Sequence, residues 1–314
     1  MIPKVGSRSG VGWSVGVLLC LALVLVVHFT VGWGSLLAPW TSVRPWVLFV
    51  GSTLVVASYA VRTIRIHGYF RPATSGRFLG AFRLVLVHNL LNNLLPMRTG
   101  EASFPVLMAN RFSVAYSRSI PALLYLRALD LHFVLLLGGL VLLLDRTGIA
   151  WVGLLLLAPV PYGLFRLQEP LGRKLAGHEG KIAGIGKQML AGFPASPALF
   201  WTTWLWTAVN WSVKLMVLAW ILQAFAPMPF PAALVGTTTG ELSSVLPLHG
   251  IAGAGTYEGG ILAGLVSLGI ELEPALKGAV NLHLFVLGIS ILAGTLAALF
   301  PVRKEAPDEA PVHS

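Results

Sequence analysis

The feature that most constrains this chain is a polar, glycine-rich stretch, Thr237 to Gly260, which carries Glu241 and Glu258 and lies among long apolar runs. Those runs are long enough to cross a bilayer, where backbone N–H and C=O groups need partners within the protein. Irregular backbone is tolerated at membrane depth only where protein or a water-filled cavity surrounds it. The stretch is therefore predicted to form half of a site inside the membrane.

The composition indicates a membrane protein. Of the 314 residues, 56% are hydrophobic and 11% are charged, and the mean hydropathy is +0.79, which is typical of multi-pass proteins. The net charge of +10 comes mainly from Lys and Arg at the ends of apolar runs. This is the positive-inside pattern, so we expect contact with anionic lipid head groups and no nucleic-acid partner. The single cysteine, Cys20, excludes an intramolecular disulfide and a Cys-based metal site, and no cofactor is expected.

We predict an all-α polytopic membrane protein with about six full transmembrane helices and two re-entrant helical hairpins. Residues 1–12 form a cytoplasmic leader, residues 13–300 a single transmembrane domain, and residues 301–314 a disordered cytoplasmic tail. Residues 166–198 hold several Lys and Arg and form the main cytoplasmic loop. The predicted spans cover residues 13–34, 46–64, 119–144, 149–165, 199–225 and 275–300.

Each re-entrant hairpin is predicted because both of its ends fall on the same side of the membrane. The first, with helices 80–95 and 100–112, enters from the cytoplasm and turns at Leu95 to Glu101. A pair of amphipathic helices on the membrane surface is the alternative. The second, within residues 232–270, enters from outside and turns around Leu246 to Gly253.

Residues 46–144 and 199–300 have opposite predicted topologies and similar hairpins. Each hairpin has two polar residues, two apolar residues and a proline before its turn, Asn92-Asn-Leu-Leu-Pro96 and Ser243-Ser-Val-Leu-Pro247. Transporters with alternating access use such inverted repeats, with the substrate site at the interface of the repeats. We therefore predict an inverted repeat whose two turns approach each other near the midplane.

The candidate binding residues are polar groups at predicted membrane depth, where a charged side chain costs about 3 kcal/mol. Arg98 is expected to bind a lipid phosphate, with Glu101 orienting it or taking a proton, unless the two residues form only a structural cap. Lys214 is expected to meet Glu241 or Glu258, or to face a substrate anion. The substrate-binding set is Arg98, Glu101, Lys214, Glu241, Gly253, Gly255, Tyr257 and Glu258. Of these, Arg98, Glu101, Glu241 and Glu258 are expected to line a shared cavity.

Further polar residues have structural and functional readings that the sequence leaves open. Arg127 and Asp130 share a helix face at spacing i, i+3 and are predicted to form a structural ion pair. The glycines of the second turn allow either backbone N–H groups that hold a phosphate or close helix packing. The head-group entry at the cytoplasmic mouth is predicted to consist of Arg62, Arg65 and Arg83. The alternative is that these side chains only extend their charged ends to the membrane interface. The histidines lack metal-ligand spacing, so no metal site is predicted.

Two motifs carry a family resemblance. The stretch Asn92 to Glu101, with its P-x-R-x-G-E core, and the later stretch Leu246 to Glu258 resemble the lysylphosphatidylglycerol synthase transmembrane family, also called flippase-like membrane proteins. The stretch Leu126-Arg-Ala-Leu-Asp130 is similar to a Glu-Arg-x-x-Asp-like stretch of that family. Leu126 stands where the acid often stands, which puts the usual partner of Arg127 in question. The resemblance implies an integral membrane protein that moves or handles lipids.

The function predicted from the sequence is transport. Some members of the family carry a fused aminoacyltransferase domain, which this sequence lacks, so lysyl transfer is not implied. The three aspartates, Asp130, Asp145 and Asp308, are widely separated, which disfavours a metal-dependent enzyme, and no ATP-binding motif is present. We expect a non-enzymatic lipid translocase of the cell membrane, with both termini cytoplasmic, for an anionic phospholipid or a polyprenyl-phosphate-linked lipid. The alternative is a non-transporting partner or regulator of a cell-envelope glycosyltransferase or lipid synthase.

Overall fold

The computed structural model of the chain describes the backbone of residues 8–143, 148–244 and 251–300. Side chains are described for residues 17–95, 99–140, 151–244 and 251–300. Within these ranges the chain is helical and has no β-strand. The helices are α1 (Arg8–Thr30), α2 (Trp33–Leu37), α3 (Pro39–Ser42), α4 (Pro45–Tyr69), α5 (Arg71–Thr74), α6 (Phe78–Leu94), α7 (Ser103–Phe112), α8 (Tyr116–Leu143), α9 (Gly148–Leu157), α10 (Val160–Ala176), α11 (Lys181–Leu190), α12 (Pro197–Phe225), α13 (Phe230–Ser243), α14 (Thr256–Ser267) and α15 (Leu272–Leu299).

Five segments of the described chain are long and apolar enough to cross a membrane. They are α4, most of α8, the stretch Trp151–Ala176 formed by α9 and α10, α12 and α15. A sixth span results if the end of α1 and the segment Trp33–Ser42, which are bent by 98° at their junction, are taken together. The prediction of an all-α, multi-pass membrane protein is confirmed, and the predicted loop 166–198 contains the end of α10 and all of α11.

Helix α12 lies at the centre of the bundle and packs against α4, α8, α13 and α15. The side chain of Ser196 accepts a hydrogen bond from the Leu199 N–H at 3.2 Å, and Pro197 occupies the first turn, where its missing N–H costs nothing. Leu218 and Leu222 are fully buried in the main hydrophobic core. The same helix buries Asn210 and Lys214, so its interior face is partly polar.

Two pairs of short helices interrupt the series of long ones. Helices α6 and α7 have 17 and 10 residues, and α13 and α14 have 14 and 12. At 1.5 Å per residue these helices are roughly 15 to 25 Å long, shorter than the hydrocarbon core of about 30 Å. A 3-10 turn, Pro96–Ala102, joins α6 to α7, and a second one, Ile251–Gly253, precedes α14. The two turns contact each other, and α1 packs against both of them.

Glycines allow α13 and α14 to pack closely. A Cβ atom on Gly236 would lie 2.8 Å from the side chain of Leu265, and one on Gly240 would lie 2.6 Å from Ile261. Small residues at such positions let two helix backbones approach, which replaces the hydrophobic driving force that is missing in lipid. Of the glycines for which the sequence left close packing open, Gly260 shows it, since a Cβ atom there would lie 2.7 Å from the carbonyl oxygen of Thr239 in α13.

The long and short helices follow the same order twice. The first unit runs from the long α4 through the short pair α6 and α7 to the long α8, and the second runs from α12 through α13 and α14 to α15. The contacts between the units are also reciprocal. Helix α6 packs against α15 and α13 packs against α8, while α4 packs against α15 and α12 packs against α8. Each of these four contacts has its counterpart when the two units are exchanged.

Replacement of Gly100 by alanine is expected to destabilise the first turn. A Cβ atom there would overlap with the backbone of Leu91 and Asn92 in α6, and backbone atoms cannot move aside as a side chain does. We expect a loss of about 1 to 3 kcal/mol, as for other overpacked sites, seen as a lower thermal unfolding temperature in detergent. Gly288→Ala is the control, because nothing lies within 4 Å of a Cβ atom there. Equal unfolding temperatures for the two variants would contradict the close contact.

Candidate functional site

A cavity of about 120 Å³ lies between the two helical units, and residues of α4, α6, α8, α12, α13, α14 and α15 and of the second turn line it. Both units contribute polar side chains. The charged residues and the histidine on the wall are Arg62, Arg127, Asp130, Lys214, Glu241 and His283.

Asp130 is the most heavily bonded carboxylate of this cluster. It is 3% exposed, and it accepts hydrogen bonds from Arg65 at 2.6 Å, Arg127 at 3.2 Å and the indole N–H of Trp211 at 2.9 Å. Arg65 also donates to the hydroxyl of Thr207 at 2.9 Å. Asp130 therefore ties α4, α8 and α12 together at one buried point.

Arg127 connects this point to the first turn. Its Nε lies 3.0 Å from an oxygen of Glu101, and the predicted pairing of Arg127 with Asp130 is present in the same cluster. Glu101 thus supplies a partner to Arg127 where Leu126 does not. The ring of His88 lies 3.6 Å from Glu101 and bonds the hydroxyl of Ser103 at 2.9 Å. The side chain of Arg98, predicted to bind a phosphate, lies outside the described residues.

The second pair of short helices is connected to the bundle in a similar way. Lys214 forms an ion pair with Glu241 at 2.7 Å, one of the partners that the sequence suggested, and it also faces the cavity. Glu258 lies at the start of α14, where one oxygen accepts the Gly255 N–H at 2.8 Å and the other lies 2.6 Å from Nδ1 of His283. Because Glu258 already occupies the Gly255 N–H, that group is not an open donor for a phosphate.

Gly253 and Tyr257 both line the cavity, as expected. The hydroxyl of Tyr257 lies 3.5 Å from Glu241. Gly253 and Gly255 have φ angles of 82° and 83°, in the left-handed region that glycine adopts without strain. These glycines therefore shape the second turn, so that Tyr257 and Glu258 begin a helix directly beside the cavity.

Arg62 differs from the other cations of the site. It is 9% exposed, and its guanidinium donates to Asn89 Oδ1 at 2.9 Å. No carboxylate of the described chain lies within ion-pair distance of it. Among the residues that the structure describes, its Nε, the amide nitrogen of Asn89 and the amide oxygen of Asn92 are buried without a hydrogen-bond partner. This corner of the cavity therefore holds a buried positive charge and several unused polar atoms.

Two of the three arginines predicted at the cytoplasmic mouth, Arg62 and Arg65, are buried. Helix α4 continues to Tyr69, and its inward face buries Arg62 and Arg65 in the bundle, so neither is at an interface. Arg83 donates to the carbonyl oxygens of Ala297 and Ala298 near the end of α15, where helix carbonyls have no partner within the helix. Two of the predicted entry residues are thus part of the interior cluster, and the third caps a helix.

Equivalent positions of the two units face the same cavity. Arg62 and Lys214 each lie 17 residues after the proline that begins its helix, Pro45 or Pro197. Arg127 and His283 each lie 11 residues after the first residue of α8 or α15. All four line the cavity, as do Asn93 and Ser244, which hold matching places in the two hairpin motifs.

Sequence reasoning missed several wall residues. Tyr59, Asn93, Trp211 and His283 line the cavity, and His88 holds Glu101, yet none was assigned to the site. The asparagines carried a usable signal, because three of them interrupt one apolar run at helical spacing. The histidines carried none beyond their occurrence in apolar runs.

The fold and the site define a helical, multi-pass membrane protein with a buried charged cavity between two pairs of short helices. The family model of the lysylphosphatidylglycerol synthase TM region matches residues 13–294, so the chain belongs to this family. The resemblance inferred from the motifs is thereby confirmed. A search of curated proteins finds no match to the chain. Among the described residues, no group of three or more His, Cys, Asp or Glu could hold a metal ion.

The buried pair of Lys214 and Glu241 is expected to behave as a unit. Lys214→Met leaves the Glu241 carboxylate buried without a countercharge, and we expect a loss of about 3 to 5 kcal/mol in unfolding free energy. The double variant Lys214→Met/Glu241→Gln is expected to recover most of this loss, measured by thermal unfolding in detergent. Lys277→Met is the control, since it breaks the more exposed pair with Glu273, which is worth under about 1 kcal/mol. Additive losses in the double variant would contradict the pairing.

Proposed function

We propose that this protein is a lipid translocase of the cell membrane that takes the phosphate of an anionic lipid head group into the cavity between the two units. The observation that carries the proposal is the buried guanidinium of Arg62, which faces the cavity without a carboxylate partner in the described chain. The lipid is a phospholipid or a polyprenyl-phosphate-linked lipid. Both termini are placed in the cytoplasm.

The charges of the cluster favour an anionic ligand. Asp130 is shared by Arg65 and Arg127, and Glu241 is taken by Lys214, so these carboxylates are already neutralised. A buried guanidinium in a membrane protein is costly unless it is paired. A phosphate would pair with it through two parallel N–H···O bonds, a geometry that guanidinium matches better than ammonium does.

The size of the cavity and the family membership favour a lipid head group. Pockets for drug-sized ligands hold about 300 to 1,000 Å³, whereas this cavity holds about 120 Å³. The space suits a small polar group, with the apolar remainder of the molecule outside. The name of the family refers to a synthase of lysylphosphatidylglycerol, a lipid whose head group contains a phosphodiester. Lipid handling therefore agrees with both observations.

We propose further that the two units form an inverted repeat and that the short helix pairs are re-entrant hairpins. If each pair enters and leaves on one side, each unit crosses the membrane twice, with α4 and α8 or with α12 and α15. The single span Trp151–Ala176 then separates the units, so that they begin on opposite sides. The reciprocal contacts between the units support this arrangement. Alternating access would expose the cavity to one side at a time by movement of one unit against the other.

Removal of the unpaired charge should abolish transport. Arg62→Gln keeps a polar side chain but cannot form two charge-assisted bonds to a phosphate, and we expect at least about a tenfold loss of head-group transfer. The measurement is the loss of labelled head groups from the inner leaflet of liposomes, with labelled phospholipids and labelled polyprenyl phosphates tested separately. Arg62→Lys should retain part of the activity because it keeps the charge.

Arg173→Gln is the matched control, because Arg173 is mostly exposed and pairs only with Glu169 on the same helix. It should transfer lipid at the unchanged rate. If the unaltered protein transfers no lipid and a glycosyltransferase or lipid synthase copurifies with it, the translocase proposal is contradicted. This result would support the alternative that the protein regulates a biosynthetic enzyme. Equal rates of head-group transfer by Arg62→Gln and by the control would show that Arg62 does not bind the substrate.

The inverted repeat predicts opposite access to the two turns. In a background with Cys20→Ala, single cysteines at Thr99 and at Ile251 should be labelled by a membrane-impermeant thiol reagent from opposite sides of sealed vesicles. The reason is that re-entrant turns are reached through the cavity that opens to their own side. Labelling of both cysteines from one side only would contradict the inverted repeat. A cysteine at Ile182, a highly exposed residue of α11, reports which side is cytoplasmic.

A further inference from the structure

In each unit a carboxylate of the hairpin binds a side chain of the long helix that follows it. We call this contact a clasp, and the two clasps lie at equivalent positions but differ in chemistry. In the first unit, Glu101 of the turn region binds Arg127 of α8 at 3.0 Å. In the second unit, Glu258 at the start of α14 binds His283 of α15 at 2.6 Å. Both partners lie 11 residues after the first residue of their long helices and both line the cavity. Glu101 therefore has a guanidinium partner, with the ring of His88 3.6 Å away, whereas Glu258 is held by an imidazole.

This difference determines which clasp responds to protons. A guanidinium remains charged at all physiological pH values, so the clasp of Glu101 and Arg127 is permanent in this respect. Imidazole ordinarily gains and loses its charge between roughly pH 5 and 8. A carboxylate only accepts hydrogen bonds, so the neutral ring of His283 must donate from Nδ1 to Glu258, and a proton binds at Nε2.

We propose that His283 is the binding site of a coupling proton, and that its protonation clasps the second hairpin to α15 while its deprotonation loosens that hairpin. The proposal rests on the proposed function, because it assigns the coupling ion of the same site. With the proton bound, the imidazolium and Glu258 form a charge-assisted pair, which is stronger than the neutral hydrogen bond that remains without it. In the first hairpin, Glu101 keeps the permanently charged Arg127 at 3.0 Å whether or not the nearby ring of His88 carries a proton.

The surroundings of His283 contain both signs of charge. On α14 it meets Glu258 and the ring of Tyr257, whose centroid lies 4.9 Å from that of His283. The other titratable or charged groups on the cavity wall come from α4, α8, α12 and α13. They are Tyr59, Arg62, Arg127, Asp130, Lys214 and Glu241. Since an anionic substrate would neutralise part of the positive charge on this wall, it would also favour the protonated ring, which gives the linkage that coupled transport needs.

The test measures access to the second hairpin as a function of pH. In a background with Cys20→Ala, Ser244→Cys reports on the second hairpin, and Asn93→Cys, at the matching place, reports on the first. Each is combined with native His283, with His283→Arg and with His283→Gln. Thiol labelling rates are recorded from pH 5.5 to 8.5. Each rate is divided by the rate of the His283→Arg variant at the same pH, which cancels the effect of thiol ionisation on the labelling rate.

With native His283, the corrected rate at Ser244→Cys should rise with pH by at least about fivefold, the lower end of typical coupling between sites. His283→Gln should give a high rate at every pH, and the corrected rate at Asn93→Cys should not depend on pH. A flat corrected rate at Ser244→Cys with native His283 would overturn the proposal, as would an equal rise in the first hairpin. A pH-dependent second hairpin in a protein that transfers no lipid would instead refute the proposed function and leave the proton site standing.

Discussion

The carboxylates Asp130, Glu101 and Glu241 are each held by a cation from another helix, and the arrangement of the bundle depends on these pairs. Asp130 joins α4, α8 and α12, Glu101 joins the first turn to α8, and Glu241 joins α13 to α12. A charge left alone in such a place costs several kcal/mol, far more than a surface pair contributes. The short helices are consequently fixed to the long ones at their polar ends, beside one cavity.

Arg62 is a buried cation without a carboxylate partner in the described chain, and its guanidinium donates to the amide oxygen of Asn89. Its equivalent in the second unit, Lys214, has Glu241 as a partner. The two units thus present the same geometry to the cavity with different electrostatics. A site with one compensated and one uncompensated cation has a preferred place for an anion, and the difference follows from single side chains on an otherwise repeated framework.

Much of the fold could be predicted from the sequence, because hydropathy and helix-breaking residues act over short distances. The apolar runs correspond to the long helices, and the interrupted segments correspond to the short pairs, with predicted helices 80–95 and 100–112 observed as α6 and α7. The positions of Arg62 and Arg65 could not be predicted in this way. Arginines near the end of an apolar run usually lie at the interface, but α4 continues past them. Only packing against α6, α8 and α12 shows that they face inward.

The sequence by itself determined the membrane class, the family, the order of long and short helices, and the stretch from Thr237 to Gly260 as part of a polar site. Only the tertiary structure decided which groups meet. Arg65 binds Asp130 from 65 residues away, and Arg127 obtains Glu101 from the preceding turn. His283, an unremarkable histidine in an apolar run, became the partner of Glu258. Hydrophobic patterns are local, whereas an ion pair requires two helices at a fixed distance and rotation, and packing of the whole bundle sets both.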